Sequence, residues 1–151
     1  MTQIQVRPAT DDDLREIVDL LADDPLGSAR ESPDDLDVYR RAFTRISTDP
    51  AHHLVVAVHA DVVVGTLQLT IVPGLARAGM SRGLIEGVRV HRDYRSLGVG
   101  KILTNWAIAH SRDNDCGLVQ LTSDTSRTGA HEFYKNLGFV HSHAGFKLQL
   151  S

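Results

Sequence analysis

Two short stretches hold the residues best placed to do chemistry. The first runs Val88-Arg89-Val90-His91-Arg92-Asp93-Tyr94-Arg95-Ser96-Leu97-Gly98-Val99-Gly100-Lys101. An alternating apolar run leads into a basic turn bearing Gly98 and Gly100, and a helix-forming run follows. Amides at a helix start lack partners inside the helix, and the dipole adds positive charge there, so small residues in such a turn make a phosphate cradle. Arg92, Arg95 and Lys101 add charge and favour a pyrophosphate over a carboxylate. Two other phosphate motifs are excluded. A P-loop needs a longer gap before Gly-Lys-Ser/Thr, and here Ile102 follows Lys101. The dinucleotide fingerprint needs a third small residue where Leu103 stands, and it follows a first strand. The second stretch is Ala130-His131-Glu132-Phe133-Tyr134-Lys135-Asn136-Leu137-Gly138-Phe139, which sets a phenol on a helix. Glu86, a carboxylate on the strand entering the glycine turn, completes the set.

The elements that position these groups follow from periodicity. Ile4 and Val6 alternate as a half-buried strand, and Leu14, Ile17, Val18 and Leu21 form a helical stripe opened by Asp11, Asp12 and Asp13 and ended by Asp24, Pro25 and Gly27. Ser32 and Pro33 predict the start of a second helix, with Val38, Tyr39, Ala42, Phe43 and Ile46 on its buried side. Leu54 to Val58 and Val62 to Val72 read as a hairpin, and Pro73 to Gly83 as a loop. In the next strand Leu84, Glu86, Val88 and Val90 share one face by alternation, and Ile85, Gly87 and Arg89 the other. A helix carrying Ile102, Leu103, Trp106 and Ala109 follows, then a strand at Leu118 to Thr122 and a helix over Thr128 to Leu137. Two last strands are expected, one from Gly138-Phe139-Val140 and one in which Phe146, Leu148 and Leu150 alternate. The order β-α-α-β-β-β-α-β-α-β-β implies an α/β fold: a mixed sheet with helices on its faces, in one domain over 1–151.

Composition narrows the function classes. The chain has 151 residues, 42% hydrophobic, enough for one filled core. No apolar run approaches a membrane span and the start lacks a secretory pattern, so the expected location is cytoplasmic, with no membrane partner. Cys116, the single cysteine, reads as a buried filler. Thr10 to Asp37 holds eleven of the 19 acidic residues against Arg15 and Arg30, while the later chain is mildly basic. That acidic segment is either solvated helix surface or a rim attracting a cationic acceptor. The basic residues are scattered with few aromatics among them, so a nucleic-acid partner is not expected. Neither is a metal, because His52 and His53 point oppositely on a strand and His141-x-His143 lacks a third ligand nearby.

Arg95-Ser96-Leu97-Gly98-Val99-Gly100 resembles the acetyl-CoA-binding motif of the GNAT family of N-acetyltransferases, Arg/Gln-x-x-Gly-x-Gly/Ala, and Ala130 to Phe139 resembles its later Ala-x-x-Phe-Tyr-x-x-x-Gly-Phe signature. The resemblance implies the acyl-CoA N-acyltransferase fold: a mixed, mostly antiparallel sheet with a splayed parallel central pair and helices on both faces. It implies acetyl-CoA as co-substrate, an amine as acceptor and, by family habit, a homodimer; the acidic segment leans toward a small-molecule amine. The amides of Leu97, Gly98, Val99, Gly100 and Lys101, with Arg95 and Ser96, would hold the pyrophosphate, and Val88, Arg89 and Val90 would pair with the pantetheine arm like an added strand. Tyr134 aligns with the tyrosine that protonates the departing thiolate; the alternative is a tyrosine that caps the core beside Phe133. Glu86 is the candidate base for the attacking ammonium, or a group that only binds it. Relatives carry a cofactor-binding asparagine after the strand equivalent to Leu118 to Thr122; here Ser123, Ser126 and Arg127 are the replacements. Other readings are a non-catalytic acyl-CoA sensor, acetylation of protein amino groups and dinucleotide binding. The acceptor stays open, with the loop carrying Arg77, Met80 and Arg82 favouring one that bears a carboxylate.

Overall fold

A computed structural model describes residues 3–151. They form two compact units, one through Gln120 and one from Leu121 to Ser151, taken here in turn. Strands β1 (Gln5–Pro8), β2 (His52–His59), β3 (Val62–Val72), β4 (Arg82–Val90) and β5 (Leu118–Leu121) lie in the order β1-β2-β3-β4-β5. Successive pairs through β4 are antiparallel, and β5 runs parallel to β4. The β2–β3 hairpin closes through Ala60 and Asp61, both at positive φ, the turn whose twist suits a two-residue link.

The helices are α1 (Leu14–Ala22), α2 (Pro25–Arg30), α3 (Leu36–Ser47), the single turn α4 (Ala76–Gly79), α5 (Val99–Asp113) and α6 (Thr128–Asn136). One-turn 3-10 helices at Asp11–Asp13 and Arg92–Tyr94 precede α1 and follow β4. Asp13 is buried and accepts hydrogen bonds from the Thr10 amide (2.7 Å) and from Arg7 (2.7 and 3.0 Å), tying the entry of α1 to β1. Asp24 and Pro25, expected to end a helix, instead start one: Asp24 caps α2 by accepting from the Gly27 amide, and Pro25 sits where no N–H is needed. Ser32 and Pro33 lie before α3 rather than starting it, and of its expected buried side only Phe43 is fully buried.

The first unit buries Val55, Leu67 and Leu69 from the sheet, Ile17 and Val18 from α1, and Val99, Leu103 and Ala107 from α5. Helix α5 lies against the sheet face that holds Gly65, where a side chain would meet Val99 and Leu103 at 2.9 and 3.0 Å. Leu67, Leu69 and Ile85 share that face by alternation and register. No helix among the described residues is long and apolar enough to cross a membrane.

The second unit differs from the expected pattern. Helix α6 forms as read, but residues 138–151 make no strand, and all of 140–151 are exposed. Period two gives side chains two faces; a strand also needs a neighbour for its amides and carbonyls, and no strand among the described residues pairs with this segment.

Candidate active site

Strand β4 carries the site, and its register breaks the expected alternation. Gln68 pairs with Glu86 but Thr66 with Arg89, so Gly87 and Val88 together oppose Leu67. This is a β-bulge, and Gly87 holds it at φ +61, a conformation that glycine adopts without steric cost. Glu86 and Arg89 therefore share one face, while Val90, paired with Gly65, lies on the α5 face with Ile85. The grouping of Glu86 with Val88 and Val90 is corrected by that one extra residue. Glu86 is exposed and has no ion-pair partner among the described residues.

The Arg89 face is where the α1–α2 corner is fastened. Arg89 Nε lies 3.1 Å from Asp24 Oδ2, both side chains being largely buried, and Arg92 pairs with the neighbouring Asp23. The Arg92 guanidinium holds the Asp23 carboxyl below the usual aspartate range, with Arg95 and His91 adding to it. Two adjacent aspartates thus reach two arginines three residues apart and fix the corner against β4 and the turn after it. Asp13, Asp23 and Asp24 are thereby structural members of the acidic segment. From sequence Asp23 carries no distinct signal and Asp24 reads only as the end of a helix; taking Asp24-Pro25 as the cap and first position of a following helix was the available clue. A cleft of about 660 Å³ lies beside this corner, lined by Glu16, Asp19 and Asp23 of the α1 region, Val62 and Val63 of β3, and His91 to Asp93.

The glycine turn has the geometry of an anion cradle. Gly98 caps α5 in the left-handed region (φ +78), and the first helical bond runs from the Ile102 amide to the Gly98 carbonyl (3.0 Å). The Val99, Gly100 and Lys101 amides precede that bond and open at the helix start. Leu97 does not join them, because its amide donates to the Tyr94 carbonyl (3.2 Å) in the preceding turn. Ser96 and Lys101 are exposed, and Arg95 folds back so that Nε donates to the Val90 carbonyl (3.3 Å). His91 braces the turn by donating its amide to Val64 and accepting from the Asp93 amide at Nδ1.

Strand lengths leave an open edge next to this cradle. The Gly117 amide donates to Ser81 (2.9 Å), which sets the start of β5 beside the start of β4. With four residues against nine, β5 ends before β4 does, and the stretch Gly87 to Val90 continues past it.

In the second unit, Tyr134 stands on α6 between Phe133 and Phe139, with ring centroids at 5.1 and 5.7 Å. Asp124 organises the turn before α6, accepting from the Ser126 amide and hydroxyl at 2.9 and 2.6 Å, while Ser123 is half-buried. The Arg127 amide donates to the Asp124 carbonyl (3.0 Å). Among the histidines, His52 meets Thr70 and His53 meets His110 at a 4.3 Å centroid distance, so the adjacent pair does point oppositely. His141 and His143 lie in no strand. Cys116 is half-buried, and burial with the nearby Asp115 raises its thiol pKa, which leaves it a poor nucleophile.

Comparison with known proteins agrees with this geometry. Residues 14–139 match the Acetyltransferase (GNAT) family. The aminoalkylphosphonate N-acetyltransferase of Salmonella typhimurium is 30% identical over 112 residues, 74% of this chain and 72% of that protein. A glucosamine 6-phosphate N-acetyltransferase of Trypanosoma brucei brucei is 38% identical over 77 residues, 51% of this chain and 50% of its own. The crystal structure of a transcriptional regulator from Bacillus halodurans C-125 superposes with a TM-score of 0.95 at 41% identity, covering 98% of this chain and 100% of that one. With the glycine turn, the mixed sheet and the family match in agreement, this chain belongs to the GNAT family of acetyltransferases and is an acyltransferase.

Proposed function

We propose that the chain transfers the acetyl group of acetyl-CoA to a primary amine of a small molecule. The observation that carries this reading is the pairing of an anion cradle at the start of α5 with the unflanked stretch Gly87 to Val90 of β4. The cradle suits a pyrophosphate, and the strand edge suits an extended amide-bearing arm. Acetyl-CoA has both, and its thioester supplies an activated acyl group. The Val99, Gly100 and Lys101 amides hold the pyrophosphate, with Ser96 and the Lys101 ammonium beside them. Val88, Arg89 and Val90 offer main-chain groups to the pantetheine. Ser123, Ser126 and Arg127 are the remaining contacts proposed for the cofactor.

Glu86 takes the proton that the acceptor ammonium must lose before its nitrogen can attack, and Tyr134 Oη gives one to the departing sulfur. The named relatives act on an aminoalkylphosphonate and on glucosamine 6-phosphate, two small amines that carry an anionic group. Arg77 and Arg82, beside the start of β4, suit such an acceptor.

Thiol release from acetyl-CoA over a panel of aminoalkylphosphonates, amino-sugar phosphates, polyamines and amino acids tests the reading. Tyr134→Phe is expected to lower kcat by roughly 10²–10⁴-fold while leaving acetyl-CoA affinity unchanged. An unaltered kcat removes Tyr134 from the mechanism. Tight acetyl-CoA binding with no turnover on any amine favours a regulatory acyl-CoA sensor, in keeping with the description of the Bacillus halodurans protein.

A further inference from the structure

We infer that Asp24 is a specificity residue for the acceptor: by neutralising Arg89 it leaves Arg82 as the unmasked cation on the face of β4 that carries Glu86, and so sets the direction in which an amine with an anionic group lies. The inference rests on the acetyl-transfer reading above. Gly83 and Ile85 face α5, so Arg82, Leu84 and Glu86 face the other way by alternation, and the bulge brings Arg89 onto that same face. Along the strand the face therefore carries a cation, the carboxylate proposed to take the acceptor's proton, and a second cation beside the stretch proposed for pantetheine. Such a face is ambiguous for an acceptor that is positive at one end and negative at the other, because either arginine attracts the anion.

The α1–α2 corner removes the ambiguity. Asp24 Oδ2 lies 3.1 Å from Arg89 Nε, with Arg89 17% and Asp24 18% exposed, so water and salt screen the pair little. Arg92, the next arginine along, is paired with Asp23. Arg82 has no acidic partner among the described residues. The anionic end of the acceptor is thereby drawn to the start of β4, its amine falls at Glu86, and the stretch Gly87 to Val90 is left to the thioester arm. An unmasked Arg89 would attract the anion to the acyl end of the face and repel the ammonium from Glu86. Asp24 meets neither substrate in this arrangement and acts through Arg89.

Asp24→Asn separates this role from the architecture of the corner, since asparagine caps a helix as well as aspartate does and carries no charge. Methylphosphonate, an anionic end without an amine, is the probe. Titrated into the full chain, it should bind Asp24→Asn at least about tenfold more tightly than the native protein, and Asp24→Asn combined with Arg89→Gln should return to the native value. Arg82→Gln in the otherwise native chain should weaken the probe by a similar factor, a test that stands even where Asp24→Asn does not fold. In steady-state assays Asp24→Asn should lower kcat and KM for an aminoalkylphosphonate together, because complexes bound the wrong way round hold the enzyme out of turnover, while KM for acetyl-CoA changes little. Methylphosphonate affinity that ignores Asp24→Asn or Arg82→Gln, or that stays tight in the double variant, would overturn the inference. So would a loss of kcat without tighter phosphonate binding, which marks a corner that is only structural. The titration needs no turnover, so a native chain that acetylates no amine refutes the acetyl-transfer reading and leaves the titration to decide the masking of Arg89.

Discussion

The β3–β4 ladder and the C-terminal arm carry the same written pattern, apolar residues at every second position, and have different structures. In the ladder Leu67, Leu69 and Ile85 are buried beneath α5 and the backbone is paired on both sides of β3. In the arm Phe146, Leu148 and Leu150 are almost wholly exposed. Alternation therefore encodes the ability to be a strand, and pairing with a neighbour decides whether one forms.

The widest separation between the two regions is expected from truncating equivalent leucines. Leu69→Ala opens a cavity in a closed core and should lower the unfolding free energy by about 2–5 kcal/mol at any protein concentration. Leu148→Ala should alter it by no more than about 0.5 kcal/mol. Denaturant melts of both variants distinguish them, and a large effect of Leu148→Ala would erase the contrast.

A smaller effect tests the irregular point of the ladder. Gly87→Ala puts a side chain 3.7 Å from Leu21 Cδ2, an ordinary contact, so its cost is conformational, about 1–2 kcal/mol. Because the bulge separates Glu86 from the stretch leading to the glycine turn, the same variant should lose more in kcat/KM than its stability change explains. Equal losses would make the bulge purely structural.

The smallest effect is on pH dependence. Burial, with His110 and His52 nearby, holds the His53 imidazole below the usual histidine range. The unfolded chain then binds the proton more readily, so stability is full above the ordinary histidine pKa of about 6.5 and declines as pH falls below it. His53→Gln should flatten that decline in thermal melts between neutral and mildly acidic pH, and an unchanged slope would assign it to other groups.

Much of this was legible in the residues. The glycine turn, the hairpin, α1, α5 and α6 each carry local signals strong enough to decide their conformation. The α2 start was misread because Asp-Pro serves equally after one helix and before the next, and only the Asp24 contacts with Gly27 and Arg89 distinguish the two. The bulge at Gly87 was hidden because its evidence is a pairing register, which no single strand contains. Arg92 read as charge for the glycine turn and Arg89 as part of the cofactor-pairing strand; that each meets an aspartate depends on a fold bringing positions about 65 to 70 residues apart together.

The bulge also predicts the grammar of tolerated change along β4. Before Gly87 the positions facing α5 are odd-numbered, Gly83 and Ile85; after it they are even-numbered, Val88 and Val90. In a saturation scan of the strand, intolerance to charge should switch parity at Gly87. Deleting that one residue would restore a single parity and keep Val88 and Val90 on the α5 face, removing only the bend that the bulge gives the strand.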